Sequence, residues 1–134
     1  REMAITLMDE GADIIVPVAG PVGLGAAAAV KERGNAYIIG VDSDWFLTAP
    51  DYADVTLTSI MKLMDVTTFE VIKSAKEGTF VGGSVVGNLS NGGVALAPFH
   101  NLDGMVSAEL KAEVDALKAD IIAGKITMNP DYKQ

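Results

Sequence analysis

ADIIVPVAGPVGLGAAAAVKERGNAYIIGVDSD, residues 12–44, decides how this chain folds. Ala12 to Val18 is apolar apart from Asp13, the pattern of a strand covered on both faces in a parallel sheet. Pro17 suits the end of that strand, because proline donates nothing to a ladder. Gly20 to Gly25 (GPVGLG) is a glycine-rich turn, and Pro21 fits a first helical position, where a missing N–H is no loss. Ala26 to Arg33 continues as helix and Gly34 ends it. Tyr37 to Val41 (YIIGV) is a second buried strand, followed by the polar cluster Asp42, Ser43 and Asp44. Strand, glycine turn, helix and strand in this order make a βαβ unit, normally parallel and right-handed. The fold class is α/β.

Upstream, Ala4, Leu7 and Met8 share one face of a helix over residues 2–10, with Gly11 as its stop. The chain opens at Arg1, inside that helix, with neither initiator Met nor cap, as a piece of a longer protein would. Downstream, Val55 to Ile60 alternates and is β-branched, a third strand. Asp65 is placed to cap a helix through Glu77, with Val66, Phe69, Ile72 and Ala75 on one stripe and Gly78 as stop. Val81 to Leu89 and Val94 to Ala97 read as short strands joined in a hairpin across Ser90-Asn91-Gly92-Gly93. Ser107 caps a helix to Ala123 that buries Leu110, Val114, Leu117 and Ile121, with Gly124 beyond its end. The tail, Ile126 to Gln134, reads as extended and solvated. Internal repeats, low-complexity segments and flexible linkers are absent from the sequence.

Composition narrows the function classes. With 134 residues, 49% of them apolar and 21% charged, the chain is neither a disordered tail nor a fibrous repeat. Ten basic against eighteen acidic residues leave a net charge of -8, which argues against nucleic acid or an anionic membrane surface as partner. Zero Cys removes disulfides, thiol catalysis and Cys-ligated zinc. No apolar run approaches the ~18 residues of a spanning helix, and no signal peptide is recognisable.

In open parallel sheets ligands sit beyond the carboxyl ends of the strands. Three features fall there: the 18–25 loop, the 42–46 cluster and the surroundings of Lys62. The loop's spacing, G-x-x-G-x-G, is neither the dinucleotide fingerprint nor a Walker loop. Its glycines serve either close approach to a ligand or a tight turn with close helix packing. Asp42 could accept hydrogen bonds from vicinal hydroxyls such as those of ribose, or it could be an acidic turn residue. Trp45 and Phe46 could stack on a planar ring or simply fill a lid or core. Lys62 interrupts Ile60, Met61, Leu63 and Met64, so its ammonium either enters a cleft or lies solvated. The lone His100 has no evident acidic partner along the chain, and a surface or loop role is expected of it. No nucleophile elbow surrounds any serine, and no metal-ligand spacing is found, so neither cofactor nor metal is expected. Asp42-Ser43-Asp44 superficially resembles the aspartate nucleophile of haloacid dehalogenase-like phosphatases. That motif normally continues with Thr or Val, whereas Trp45 follows here, and the later magnesium-binding carboxylate pair is missing.

The runs GADIIVPVAGPVGLGAAAAVKERG, YIIGVDSDWFLTAPDYADVTLTSIMKLMDV and GGVALAPFH together resemble the basic membrane protein family. Its members are lipoprotein substrate-binding components of ABC importers, with the purine nucleoside receptor as best-understood type. The match runs from about Gly11 to Pro130, and the set VAGxxGxG, GVDSD, TSxxKxxDV and GGVxLAPFH is specific only in combination. The resemblance implies a type I periplasmic-binding fold, two α/β lobes around a cleft, of which this chain is the C-terminal portion. Residues 1–60 would belong to the C-terminal lobe, the chain would cross the hinge near Ser59 to Lys62, and residues 61–134 would be shared between lobes. The resemblance also implies ligand contacts at Val18, Ala19 and Gly20, a ribose-binding Asp42 and a sugar-reaching Lys62. Pro21-Val22 and Trp45 depart from what is common in the family at those positions. The expected protein is not an enzyme. It would bind a nucleoside in the cell envelope, work with an ABC permease, and meet the membrane only through an N-terminal lipid anchor absent from this chain. A ligand-sensing regulatory domain on the same fold is the alternative.

Overall fold

The computed structural model describes residues 1–126. Helix α1 (Glu2–Asp9) leads to the short strand β1 (Ile14–Ile15), and a 3-10 turn over Gly20–Gly23 runs into helix α2 (Leu24–Arg33). Strand β2 (Tyr37–Asp42), the one-turn helix α3 (Trp45–Thr48) and strand β3 (Thr56–Lys62) follow. Helix α4 (Met64–Lys76), strand β4 (Val94–Leu96), a 3-10 turn over His100–Met105 and helix α5 (Ala108–Ile122) complete the described residues.

One four-stranded sheet has the order β1-β2-β3-β4. Its first three strands are parallel, and β4 returns antiparallel on β3, pairing Val94 with Lys62 and Leu96 with Ile60. The sheet is therefore mixed, with parallel strands in the majority. β1, α2 and β2 form the expected βαβ unit. Gly34 ends α2 at φ +67 and returns its N–H to the Val30 carbonyl, a left-handed stop that glycine adopts at little cost.

The core lies between this unit and α1. Ala27, Ala29 and Val30 of α2 press on Ile15 and Ile38, which pair across the sheet, while Ala4 and Met8 close the cluster from α1. Small alanines on α2 let the helix approach the strands closely. Two exposed ion pairs, Arg1 with Glu32 and Arg33 with Asp9, tie α1 to α2 at the rim.

Several expectations need correction. β1 was expected along 12–18 with both faces covered, yet its ladder is two residues long, and Ile14 and Val16 stay exposed. Pro17 offers no donor, and helices cover only the face that carries Ile15. α4 is not capped by Asp65: Leu63 is the N-cap residue, and Asp65 sits in the first turn, where its charge still complements the helix dipole. The α4 stripe is not buried either, with Phe69 62% and Ile72 63% exposed. The 81–89 strand and its hairpin do not form. Asn88 Oδ1 accepts from the N–H groups of Ser90 and Asn91, so the turn itself is real, but β4 takes β3 as partner. Gly82, Gly83 and Gly87 weaken the upstream run as a strand, and Gly83 sits at φ +146. α5 is capped as expected, Ser107 Oγ accepting from Leu110 N–H at 3.2 Å, yet Leu110 and Leu117 are exposed. The expectation for the tail beyond Ile126 lies outside the described residues.

Candidate functional site

At the carboxyl edge of the parallel strands, a hollow of about 270 Å³ is lined by Gly20, Pro21, Leu24, Asp42, Ser43 and Trp45, among others. Each contributor has a local reason to be there. β2 ends at Asp42, whose backbone is left-handed at φ +74, a conformation that aspartate tolerates better than most residues. This twist turns the chain out of the sheet and leaves the carboxylate at the strand end. Lys62 ends the neighbouring strand β3, and its Nζ lies 2.7 Å from Asp42 Oδ1. That contact is an ion pair with poor hydrogen-bond alignment, and Oδ1, buried from solvent, has no hydrogen-bond partner. A carboxylate oxygen met only by a misaligned ammonium keeps the capacity to accept a further hydrogen bond.

The glycine loop divides its labour. Gly20 adopts φ +54, which the turn requires, whereas Gly23 is there for space. A Cβ on Gly23 would stand 3.0 Å from Trp45 Cη2 and 3.2 Å from the Pro17 carbonyl oxygen. Close packing therefore explains Gly23. Gly20 and Pro21 border the hollow, while Val18 (79% exposed) and Ala19 stand outside its lining.

Trp45 is only 6% exposed. Its indole N–H donates to the Val41 carbonyl at 3.0 Å, and its own backbone N–H donates to Ser59 Oγ at 3.0 Å. The ring is thus a packed floor beside Asp42, fixed by the protein's own groups. Phe46 stacks on the His100 ring, with centroids 4.0 Å apart and planes 8° from parallel. His100 also has the acidic partner that its sequence neighbourhood did not disclose: Nε2 lies 2.8 Å from Asp44 Oδ2. Asp44 Oδ1 meanwhile accepts from Phe46 N–H and caps α3. Fifty-six residues separate His100 from Asp44, so no local pattern announces the pair. Ser43 and Thr48, also on the lining, are joined by a 2.9 Å hydroxyl contact.

The structure therefore brings Gly20, Asp42, Trp45 and Lys62 to one edge and leaves Val18 and Ala19 on its rim. A larger groove of about 560 Å³ runs between residues 96–99 and α5. Its lining is mainly apolar, including Leu89, Leu96, Val114 and Ile121, with Lys111, Asp115 and Lys118 as its charged members. No group of three or more His, Cys, Asp or Glu among the described residues is disposed to hold a metal ion.

The nucleoside-binding protein BmpA of an ABC transporter from Lactococcus lactis is 32% identical over 96% of this chain and 39% of its own length. Basic membrane protein A of Borreliella burgdorferi is 34% identical over the whole of this chain and 38% of its own. The chain thus spans about two fifths of the length of these relatives. A solute-binding protein of an ABC transporter system from Aeropyrum pernix superposes with a TM-score of 0.78 at 25% identity, over 98% of this chain and 44% of that one. Residues 1–131 match the family described as ABC transporter substrate-binding protein, PnrA-like, and the chain belongs to that family.

Proposed function

We propose that this chain forms one side of a cleft in the solute-binding component of an ABC importer, and that the cleft captures a nucleoside. The observation that carries the reading is the Asp42 carboxylate at the carboxyl edge of β2, with Oδ1 buried and without a hydrogen-bond partner beside the Lys62 ammonium. Two carboxylate oxygens match the paired hydroxyls of a ribose, each hydroxyl donating one hydrogen bond. Lys62, with three donors and a flexible stem, can leave Asp42 and meet a sugar oxygen. The printed name of the Lactococcus relative, a nucleoside-binding protein, supports the choice of ligand class.

The exposed apolar stripe of α4 supports a second lobe that packs there and encloses the ligand from the opposite side. Ligand contacts shared by two lobes favour a closed form, which the permease would recognise. The protein would act by binding and not by catalysis. Its setting would be the cell envelope, with a lipid anchor outside this chain. Isothermal titration of the full-length Asp42→Ala protein with purine and pyrimidine nucleosides tests this. Loss of a charged acceptor costs about 2 kcal/mol, roughly a thirtyfold weaker Kd. Unchanged affinity in that variant overturns the assignment of Asp42.

A further inference from the structure

Asp42 sits in a left-handed backbone conformation, which persists only where the surroundings over-determine it. The 42–48 segment is held partly from within and partly by β3, which pairs Met61 with Asp42. Thr48 Oγ1 donates to the Asp44 carbonyl, Asp44 Oδ1 caps α3, and Trp45 is pinned by Val41 and Ser59. The contact at His100 adds a third source, the segment that follows β4. That segment is itself anchored to β3: Ala97 N–H donates to the Ser59 carbonyl at 2.8 Å, and Thr58 Oγ1 donates to the Ala97 carbonyl at 2.7 Å.

His100 opens the 3-10 turn over His100–Met105. Its backbone is left-handed at φ +45, and its side chain and that of Asp44 are only 20% and 12% exposed. The carboxylate only accepts, so Nε2 carries the proton in this contact. The Phe46 ring covers the face of the imidazole. One imidazole therefore grips the loop at two points two residues apart, by hydrogen bond at Asp44 and by stacking at Phe46. These points lie two and four residues beyond Asp42, which ends β2.

We propose that His100 is a positioning residue for the ligand site: through Asp44 and Phe46 it clamps the 42–46 loop to the segment after β4 and so fixes the aim of the Asp42 carboxylate. The inference rests on the nucleoside-binding reading for its ligand, but the clamp itself is a claim about this chain alone. It also links two stretches of chain that meet through β3, so a movement of the 97–100 segment is passed to the loop bearing Asp42.

The test compares full-length wild-type protein with His100→Ala, His100→Gln and His100→Phe. Gln keeps an amide donor and loses the stack, whereas Phe keeps the stack and loses the donor. Hydrogen exchange is followed by mass spectrometry on peptides spanning residues 41–48, and Kd for adenosine, guanosine, inosine and uridine is measured on the same samples. The expected result is faster exchange confined to 41–48 in His100→Ala and an approximately tenfold weaker Kd with thermal midpoint nearly kept. Partial recovery of both readouts is expected in each single-function variant. If exchange over 41–48 matches wild type in His100→Ala, the clamp is overturned whatever the ligand is. If exchange rises but Kd holds, the positioning role is overturned. If the wild type binds no nucleoside, the proposed function fails, while the exchange comparison still decides the clamp. Should His100→Ala not fold, the Gln and Phe variants with Asp44→Asn provide the same comparison, and equal exchange in all of them refutes the proposal.

Discussion

Replacing Gly40 with alanine tests the packing beneath the site most sharply. Gly40 lies in β2 opposite Ser59 of β3, and the added Cβ would stand 2.6 Å from Trp45 Cγ and 2.9 Å from Trp45 Cβ. It would also overlap Ser59 Oγ, the acceptor of the Trp45 backbone N–H. None of these neighbours is the loose end of a flexible chain. Ser59 is fully buried, and the far edge of the indole is confined by the close approach at Gly23. Overpacking of this kind costs about 1–3 kcal/mol. Disturbing the Trp45–Ser59 hydrogen bond adds about 1 kcal/mol. A total of about 3 kcal/mol corresponds to roughly a hundredfold shift in the folding equilibrium. Gly34→Ala is the control: its surroundings are open, so only its φ of +67 opposes a side chain, at about 1–2 kcal/mol. Urea denaturation of the full-length variants, followed by circular dichroism, reads both. A Gly40→Ala protein as stable as wild type, or no less stable than Gly34→Ala, would refute the view that Trp45 is a rigid floor for Asp42.

Other expectations are more local. Thr58→Val keeps the shape of a buried side chain but removes the 2.7 Å hydrogen bond to the Ala97 carbonyl, so a loss of about 1–2 kcal/mol is expected; an unchanged denaturation midpoint would discount this tie between β3 and the returning chain. Glu109, in the first turn of α5, is held below the ordinary carboxylate range by backbone hydrogen bonding and by the Ser107 hydroxyl. A depressed folded pKa contributes stability above the unfolded value that is lost as pH falls through the folded value. The start of α5 should therefore fray on acidification below the ordinary carboxylate range. Amide exchange over 107–112 should show this in wild type, and an identical pH profile in Glu109→Gln would contradict it.

The βαβ unit was legible because its signals are local. Glycine punctuation, an alanine-rich helix and two apolar runs each act within a few residues. Pairing was less legible. Val94 to Leu96 has enough β character for a strand, but only the fold decides that β3 is its partner and that residues 81–89 lie outside the sheet. Burial failed for the same reason on α4 and α5. An apolar stripe states that a helix can bury a face, and whether another surface covers it is a property of everything else present. Phe69 and Ile72 carry the right pattern without a covering surface among the described residues. The site was half legible: chemistry pointed to Asp42 and Lys62 at strand ends, while the left-handed twist at Asp42 and the His100 contact depend on tertiary geometry.

Asp42 and Asp44 show why residue type alone leaves function open. They stand two residues apart in the same cluster, and Asp42-Ser43-Asp44 superficially resembles the aspartate nucleophile motif of a phosphatase. In the fold, both oxygens of Asp44 are engaged, one capping α3 and the other meeting His100. Its carboxylate is a structural acceptor that organises a turn. Asp42 instead keeps a buried oxygen without an aligned hydrogen-bond partner, ion-paired with an exposed lysine. A proton-transfer role for Asp44 would require breaking the contacts that shape the loop, whereas Asp42 can accept a donated hydroxyl without disturbing them. The division favours the proposed recognition role: one carboxylate builds the support, and the other is left to meet a ligand.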